Sequence, residues 1–269
     1  MENNINKIIC ADVLDGLKLL PDNFVTLVIT SPPYNLKIDY ASAADDQPYI
    51  QYIDWLSKVF LECHRVLRKG GRCIINIDAM TNRQEDKEEE YIRDIRTDLS
   101  NHLKEMGFKF FGEHVWYKSS KDPSFNGGQF NGKKTAWGSY MSPSTPAVRR
   151  NHEYILVYSK EQFKLEKTTE SGDPDITGEE FQNYIASTWS IQAETRKLGG
   201  HPVPFPIELP SRLIKLYSYP NDIILDPFNG VGTTCVAAKL LARRYIGIDM
   251  EESYCQYARD RILDSGSLY

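Results

Sequence analysis

The chain has 269 residues, of which 41% are hydrophobic and 26% charged, and its formal net charge is −5. This length and composition predict one large domain, or one domain with a small second unit, and the lack of any run of about eighteen apolar residues excludes a membrane-spanning helix. The N-terminus shows no basic region followed by an apolar stretch, and the five scattered cysteines form no C-x-x-C pair, so we expect a reduced, cytoplasmic protein.

Apolar patterning along the chain alternates between strand-like and helix-like segments. This alternation predicts an α/β fold with a mostly parallel, twisted sheet that is covered by helices on both faces. Ligands in such sheets bind at the carboxyl ends of the strands. Strands are predicted at residues 8–10, 24–29, 73–77, 108–116, 154–158 and 244–248, and before the turn in residues 221–234; helices are predicted at 13–20, 49–67, 91–106, 207–217 and 253–263, and after that turn.

A polar motif with two prolines follows the predicted strand of residues 24–29. It reads T-S-P-P-Y-N and covers residues 30–35. The prolines end the strand and lack N–H groups, so the backbone here offers only carbonyl acceptors. Ser31 adds a side-chain acceptor and Tyr34 a flat aromatic face, which suits a planar ligand that donates hydrogen bonds, such as a nucleobase with an amino group. The hexapeptide by itself fits a proline-rich turn equally well.

A glycine-rich turn lies near the end of the chain, in residues 221–234, between a predicted strand and a predicted helix. Gly230 and Gly232 allow the backbone to pass close to a ligand. Thr233 or Thr234 is expected to cap the helix that follows.

Two acidic residues frame this turn and bear on the ligand that it would hold. Asp249 ends the next predicted strand, 23 residues after Asp226, a spacing that suits contacts to ribose hydroxyls. The turn lacks the third glycine of the G-x-G-x-x-G dinucleotide fingerprint, and Asp226 followed by Pro227 is poorly suited to a pyrophosphate. A nucleoside with a cationic tail fits better, with an ordinary β-turn-α unit as the alternative.

The two motifs, in this order, resemble those of the amino-group DNA methyltransferases that use S-adenosylmethionine. Residues 30–34 are similar to the catalytic [S/D/N]-P-P-[Y/F] motif of that family, and residues 226–233 to its D-P-F-x-G-x-G-T cofactor motif. The catalytic motif comes first, as in the beta-type permutation, and further matches lie at residues 11–22, 115–118 and 201–206. The resemblance implies a Rossmann-like methyltransferase fold and S-adenosylmethionine as cofactor.

For the reaction, we expect direct methyl transfer to the exocyclic amine of a base that is flipped out of the duplex. The Ser31 hydroxyl and the Pro32 carbonyl would accept the two N–H bonds of the amine and aim its lone pair at the sulfonium methyl. Tyr34 would stack on the base. The predicted catalytic residues are Ser31, Pro32, Pro33 and Tyr34.

The resemblance also assigns residues to the cofactor. Asp249 is expected to hold the ribose and Phe228 to pack on the adenine, while residues 201–206 would wall the methionine end. Asp12 either contacts the adenine amine or caps a helix. The predicted cofactor-binding residues are Asp12, His201, Pro202, Phe205, Asp226, Pro227, Phe228, Gly230, Gly232, Thr233, Thr234 and Asp249.

The resemblance fades between about residues 119 and 197, which we interpret as an insertion with target-recognition loops in a catalytic and cofactor-binding domain of residues 1–118 and 152–269. Residues 117–150 carry six basic residues and one acidic residue, interleaved with aromatics. Such loops suit a phosphate backbone and disturbed bases, although charge alone also fits a solvated loop. The predicted DNA-binding residues are Lys118, Lys121, Lys133, Lys134, Arg149 and Arg150.

Ser31 favours cytosine N4 as the methyl acceptor, because serine is usual there in N4-specific members of the family and adds no charge; adenine N6 is the alternative. A non-catalytic nucleic-acid-binding module, an NAD-dependent enzyme and a protein or RNA methylase are less favoured. No cysteine follows a proline, which argues against attack on a pyrimidine ring, and the histidines show no spacing typical of a metal site. The expected partner is double-stranded DNA; a cognate restriction endonuclease, and a monomer or a homodimer, stay open.

Overall fold

The computed structural model describes residues 4–35, 39–40, 43–44, 47–78, 84–85, 90–91, 94–119, 139, 141–146, 148, 151–194, 198–200 and 204–266. The strands are β1 (Lys7–Cys10), β2 (Val25–Thr30), β3 (Asp39–Tyr40), β4 (Ala43–Ala44), β5 (Leu67–Ile77), β6 (Gln84–Glu85), β7 (Glu90–Tyr91), β8 (Phe108–Ser119), β9 (His152–Lys160), β10 (Thr188–Gln192), β11 (Ile223–Asp226) and β12 (Arg244–Asp249). The helices are α1 (Val13–Lys18), α2 (Tyr49–Val66), α3 (Ile95–Glu105), α4 (Gly178–Tyr184), α5 (Glu208–Tyr217), α6 (Thr233–Leu240) and α7 (Glu252–Asp264).

Eight of these strands form one sheet in the order β1-β12-β11-β2-β5-β9-β8-β10. The sheet is mostly parallel, as predicted, because only the pairings of β9 with β5 and β8 are antiparallel. The strand order reverses between β2 and β11, which pair directly. The chain runs outward from β2 to β5 on one side and from β11 to β12 on the other. In open α/β sheets such a switch point creates a crevice at the carboxyl ends of the strands.

Both faces of the sheet are covered, which explains the nearly continuous apolar runs in its strands. Along β9, Leu156 and Tyr158 face the core formed with α1, α2 and α3, whereas Ile155 and Val157 face the core formed with α5 and α6. A smaller cluster packs α7 against α6 and β1. The predicted helices on both faces are therefore confirmed.

Several predicted boundaries differ from the observed ones. The helix predicted at residues 91–106 begins only at Ile95, because the Asp94 side chain caps it by accepting a hydrogen bond from the Thr97 N–H at 3.1 Å. The strand predicted at 73–77 starts already at Leu67, directly after α2. Among the helices in the described part of the chain, none is long and apolar enough to cross a bilayer.

Two elements within residues 119–197 were not predicted. The α4 helix begins with a capping box, in which the Thr177 hydroxyl accepts from the Glu180 N–H and the Glu180 carboxylate accepts from the Thr177 N–H. The β10 strand buries alternate residues, Trp189 and Ile191, and pairs in parallel with β8. The sequence contains the capping box of α4 and the alternating pattern of β10. Neither element was predicted, because this part of the region was interpreted as loops.

Candidate functional site

The two sequence motifs lie side by side at the carboxyl edge of the sheet. Asp226, at the end of β11, is 1% exposed and accepts hydrogen bonds from the Thr30 hydroxyl at 2.7 Å, the Thr234 hydroxyl at 2.7 Å and the Phe228 N–H at 3.1 Å. Burial raises the pKa of the Asp226 carboxyl to about 6. We call this arrangement the Asp226 clamp, since it ties the end of β2 to the glycine-rich turn.

The Asp226 clamp changes the interpretation of Asp226 itself. Both carboxylate oxygens are engaged by groups of the protein, so the structure gives this side chain an internal structural role. A contact between Asp226 and the cofactor stays a prediction. The adjoining Pro227 is buried, whereas Phe228 is only partly buried and follows directly in the turn.

The catalytic motif forms a loop whose hydroxyl groups are connected to each other. The Ser31 Oγ and Tyr34 Oη atoms lie 2.8 Å apart. The Tyr34 hydroxyl also accepts from Asn76 Nδ2 at 3.0 Å, and the Asn76 carbonyl lies at 3.1 Å as an acceptor for it. The Tyr52 hydroxyl, on α2, donates to the Pro33 carbonyl at 2.7 Å. These contacts hold the loop from β5 on one side and from α2 on the other.

A buried carboxylate belongs to the same network. Glu153, near the start of β9, is 7% exposed and accepts from Asn76 Nδ2 at 2.6 Å and from the Tyr34 hydroxyl at 3.3 Å. Its other oxygen pairs with the Lys118 ammonium at the end of β8. Neither Asn76 nor Glu153 was predicted as a site residue. Lys118, which was predicted to contact DNA, forms this ion pair beside the catalytic motif, and its DNA contact stays a prediction.

The topology explains this convergence. Because β9 runs antiparallel to β5 and β8, its first residues lie at the edge where β5 and β8 end. Glu153 is paired in register with Trp116, two residues before Lys118. Sheet pairing thus collects residues that are far apart in the chain beside the Ser31 loop.

The glycine-rich turn is shaped by packing against α7. Gly232 has a positive φ of 80° and is itself the N-cap of α6, with no side-chain cap. A Cβ atom at this position would lie 2.8 Å from the Ala258 Cβ atom. The predicted cap by Thr233 or Thr234 is therefore wrong: Thr234 donates to Asp226, and the Thr233 hydroxyl accepts from Arg261 at 3.2 Å.

Asp249 ends β12 beside this turn, and its predicted contact with the cofactor stays a prediction. Its carboxylate accepts from the Gly230 N–H at 2.7 Å and from the Glu251 N–H at 2.9 Å. Burial raises the pKa of the Asp249 carboxyl. Asp12 follows β1 and caps α1 by accepting a hydrogen bond from the Leu14 N–H at 2.9 Å. Of the two roles considered for Asp12, the structure shows the helix cap.

A row of aromatic side chains along α2 reaches the glycine-rich turn. The Trp55 and Phe228 ring centroids are 5.5 Å apart, and Trp55 continues a row with Tyr52 and Tyr49 along α2. Phe205 packs against the core formed with α5 and α6. The predicted residues His201, Pro202, Lys121, Lys133, Lys134, Arg149 and Arg150 lie outside the described residues.

The five cysteines are free, and all except Cys10 are buried, as expected for reduced core residues. Cys235 donates to the Asn229 side chain at 3.1 Å behind the glycine-rich turn. The five cysteines therefore form no disulfide bonds, and Cys235 packs behind the glycine-rich turn.

Comparison with known proteins places this geometry in a family. The family model described as DNA methylase, for N6 and N4 methyltransferases, matches residues 25–260. The chain is 33% identical over 178 residues to the type II methyltransferase M.MjaVI of Methanocaldococcus jannaschii, covering 66% of this chain and 82% of that one. It is 30% identical to the type II methyltransferase M.MthZI of Methanothermobacter thermautotrophicus, covering 90% of this chain and 72% of that one.

Solved structures show the same fold. Protein TTHA0409 of Thermus thermophilus, in complex with S-adenosyl-L-methionine, superimposes with a TM-score of 0.76 at 25% identity, covering 98% of this chain and 96% of that one. The cytosine-N4-specific PvuII DNA methyltransferase superimposes with a TM-score of 0.68 at 20% identity, over 96% of this chain and 86% of that one. With the family match over most of its length, the chain belongs to the N6/N4 DNA methylases.

Proposed function

We propose that this DNA methylase transfers a methyl group from S-adenosylmethionine to the exocyclic amine of a base flipped out of double-stranded DNA, with cytosine N4 as the favoured acceptor. The observation that carries the proposal is the 2.7 Å hydrogen bond between Thr30 and Asp226, which sets the Ser31 loop beside the glycine-rich turn. Direct transfer requires the amine and the methyl group to meet in one crevice, and this adjacency supplies it.

The residues at the turn fit S-adenosylmethionine better than a dinucleotide. Asp249 keeps acceptor capacity for ribose hydroxyls, and the partly buried Phe228 offers a ring face for an adenine. Carboxylates at Asp226 and Asp249 disfavour the two negative charges of a pyrophosphate. S-adenosylmethionine, when bound, supplies an electrophilic methyl group on a sulfonium sulfur. The complex of TTHA0409 with this molecule supports the assignment.

The Ser31 loop offers two acceptors for the amine. Ser31 Oγ can donate to Tyr34 and keep its lone pairs for the substrate. We assign the Pro32 carbonyl as the acceptor for the second N–H group of the amine. Two accepted N–H bonds would orient the nitrogen lone pair toward the methyl group, which is catalysis by positioning and electrostatics. The same Tyr34 hydroxyl network holds the ring on which the base would stack.

The first prediction concerns the cofactor. Trp55 lies beside Phe228, so S-adenosylmethionine is expected to change tryptophan fluorescence on binding, and NAD is expected to leave it unchanged. Isothermal titration with each ligand checks affinity independently of the optical signal. The Trp55→Phe variant should bind S-adenosylmethionine by calorimetry while losing the fluorescence change. Comparable binding of NAD would contradict the proposed cofactor.

The second prediction concerns the methylated base. Duplex DNA incubated with the protein and S-adenosylmethionine is expected to contain N4-methylcytosine. The reason is that the Ser31 hydroxyl accepts a hydrogen bond from the amine without placing a negative charge beside it, which suits cytosine. Mass spectrometry of nucleosides from digested DNA distinguishes the bases. N6-methyladenine instead would reverse the assignment of the base and keep that of the reaction, whereas methylation of RNA or protein alone would overturn the proposed substrate.

Charge supports the remaining part of the proposal. Residues 117–150 carry a cluster of basic residues that could face a phosphate backbone in a protein with a net charge of −5. We assign duplex binding to this segment, with Lys121, Lys133 and Lys134 as phosphate contacts. Binding that weakens steeply with salt, and less steeply when these lysines are replaced, is the expected signature.

A further inference from the structure

Glu153 lies beside the catalytic motif without belonging to it. Its Oε2 atom is 3.3 Å from the Tyr34 hydroxyl, and that hydroxyl is 2.8 Å from Ser31 Oγ. A chain of two hydrogen bonds therefore leads from the group that would touch the substrate amine to a carboxylate that is 7% exposed. A carboxylate is costly to bury, so its position between Asn76 and Lys118 calls for a function.

The donors and acceptors of this chain allow the direction that a proton route needs. Asn76 Nδ2 can only donate, and it contacts both the Tyr34 hydroxyl and Glu153. The Tyr34 proton has three acceptors within reach: the Asn76 backbone carbonyl at 3.1 Å, Glu153 at 3.3 Å and Ser31 Oγ at 2.8 Å. When it points to the carbonyl or to Glu153, the Ser31 hydroxyl donates to Tyr34 and keeps its lone pairs for the substrate. Only the carboxylate, and not the backbone carbonyl, is basic enough to take up a proton.

We propose that Glu153 accepts the proton that the substrate amine loses on methylation, through Tyr34 and Ser31. When the nitrogen lone pair forms the new N–C bond, the electrons of the old S–C bond stay on sulfur and the nitrogen carries one excess proton. That proton moves to Ser31 Oγ, the Ser31 proton moves to Tyr34 Oη, and the Tyr34 proton moves to Glu153 Oε2. A base amine whose nitrogen has four bonds and a positive charge is a far stronger acid than a carboxylic acid, so the transfer is downhill. This inference rests on the proposed function, in which Ser31 accepts from the amine.

The surroundings of Glu153 are suited to receive and release this proton. The groups that face it are the Lys118 ammonium from β8, the neutral Asn76 amide from β5 and the Tyr34 phenol from the motif. The Lys118 side chain is 30% exposed, which makes it the solvent-facing end of the chain of contacts. The proton on Glu153 can leave along this side while the methylated base still covers Ser31.

The third prediction tests this route with the isosteric Glu153→Gln variant. The single-turnover rate of DNA methylation is expected to fall about 100-fold, within the range for removal of an acid–base group. Calorimetric affinity for S-adenosylmethionine should change less than about threefold, since Glu153 contacts the Ser31 loop and not the glycine-rich turn. The wild-type rate should be lower in D₂O than in H₂O, because protons move along the hydrogen-bonded chain to Glu153, and the variant should lose this solvent isotope effect.

Controls keep the outcome interpretable. Glu113→Gln removes a β8 carboxylate that pairs with Arg96 of α3, and should leave the rate and its solvent isotope effect unchanged. Tyr34→Phe keeps the ring and Glu153 but removes the middle hydroxyl, so it should lose the same isotope effect even if Glu153→Gln does not fold. A Glu153→Gln or Tyr34→Phe rate within about threefold of wild type, with an unchanged isotope effect, overturns the proton route. If Ser31→Ala is also fully active, the proposed site itself fails; if Ser31→Ala is inactive, only the role of Glu153 fails.

Discussion

Replacement of Ser31 by alanine is expected to slow methyl transfer about 1,000-fold, the loss typical of removing one preorganised polar group from a reacting centre. The reason is geometric. Ser31 Oγ is held 2.8 Å from the Tyr34 hydroxyl, which aims its lone pairs outward to accept from the amine. Without this acceptor the amine lone pair stays delocalised into the base and is a poor nucleophile. Single-turnover methylation of duplex DNA measures the effect.

The same variant should bind S-adenosylmethionine almost normally. Ser31 follows β2, whereas the residues assigned to the cofactor follow β11 and β12, and the Asp226 clamp between them does not use the Ser31 side chain. Calorimetric affinity within about threefold of wild type is therefore expected. Ser211→Ala serves as the control, because the Ser211 hydroxyl, on α5, donates locally to the carbonyl of Ile207, the N-cap of the same helix. An equal loss of cofactor affinity and rate in Ser31→Ala would contradict the assigned role.

Replacement of Asp226 by alanine is expected to lower both stability and cofactor affinity. The change leaves the Thr30 hydroxyl, the Thr234 hydroxyl and the Phe228 N–H buried without their acceptor. With about 1–3 kcal/mol for each unsatisfied buried group, and with partial relaxation, the free energy of unfolding should fall by about 4 kcal/mol. Affinity for S-adenosylmethionine should fall more than about tenfold, because the turn and β2 are no longer tied together. Urea unfolding and calorimetry measure the two effects.

Two further variants show whether the clamp acts as described. Thr30→Ala and Thr234→Ala each remove one arm and should cost about 1 kcal/mol apiece, since the carboxylate keeps its other partners. Asp226→Asn keeps the volume of the side chain and should be milder than Asp226→Ala. Unchanged stability in Asp226→Ala would show that the three contacts do not hold the turn.

The clamp also predicts how stability depends on pH. Burial raises the pKa of the Asp226 carboxyl in the folded protein to about 6, above its ordinary value of 3.8. The folded state therefore binds this proton more tightly than the unfolded state. The stabilising contribution of this group is fully present below pH 3.8 and is lost as the pH rises through about 6. Wild type should accordingly gain stability relative to Asp226→Asn as the pH is lowered through this window.

Most strands of the large sheet could be predicted from apolar patterning because this signal is local, whereas the strand order that creates the switch point came only from the structure. The strands predicted at residues 24–29 and 244–248 lie within one residue of the bounds of β2 and β12, and β2 is buried along its whole length. The missed elements, α4 and β10, are short, and their capping box and alternation compete with many similar patterns in loops. The start of α3 was predicted four residues too early because the cap formed by the Asp94 side chain was not recognised.

The candidate site shows the same contrast between local and long-range information. The sequence could propose Ser31, Phe228, Gly232 and Asp249 as site residues because each belongs to a short motif at or after the end of a strand, where residue types and spacing suggest the chemistry. The role of Asp226 could not, because its partner Thr30 is 196 residues away in the chain. A residue type that suits a ligand equally suits an internal hydrogen bond, and only proximity in space distinguishes the two.

The amino-acid sequence by itself determined the motifs, their order and hence the acceptor loop and the glycine-rich turn, since these depend on contacts between near neighbours in the chain. Only the tertiary structure brought Asn76, Glu153 and Lys118 to Tyr34, from three strands that pair across the sheet. Strand pairing is a long-range choice among many registers, and the register alone decides which buried polar groups meet at one edge.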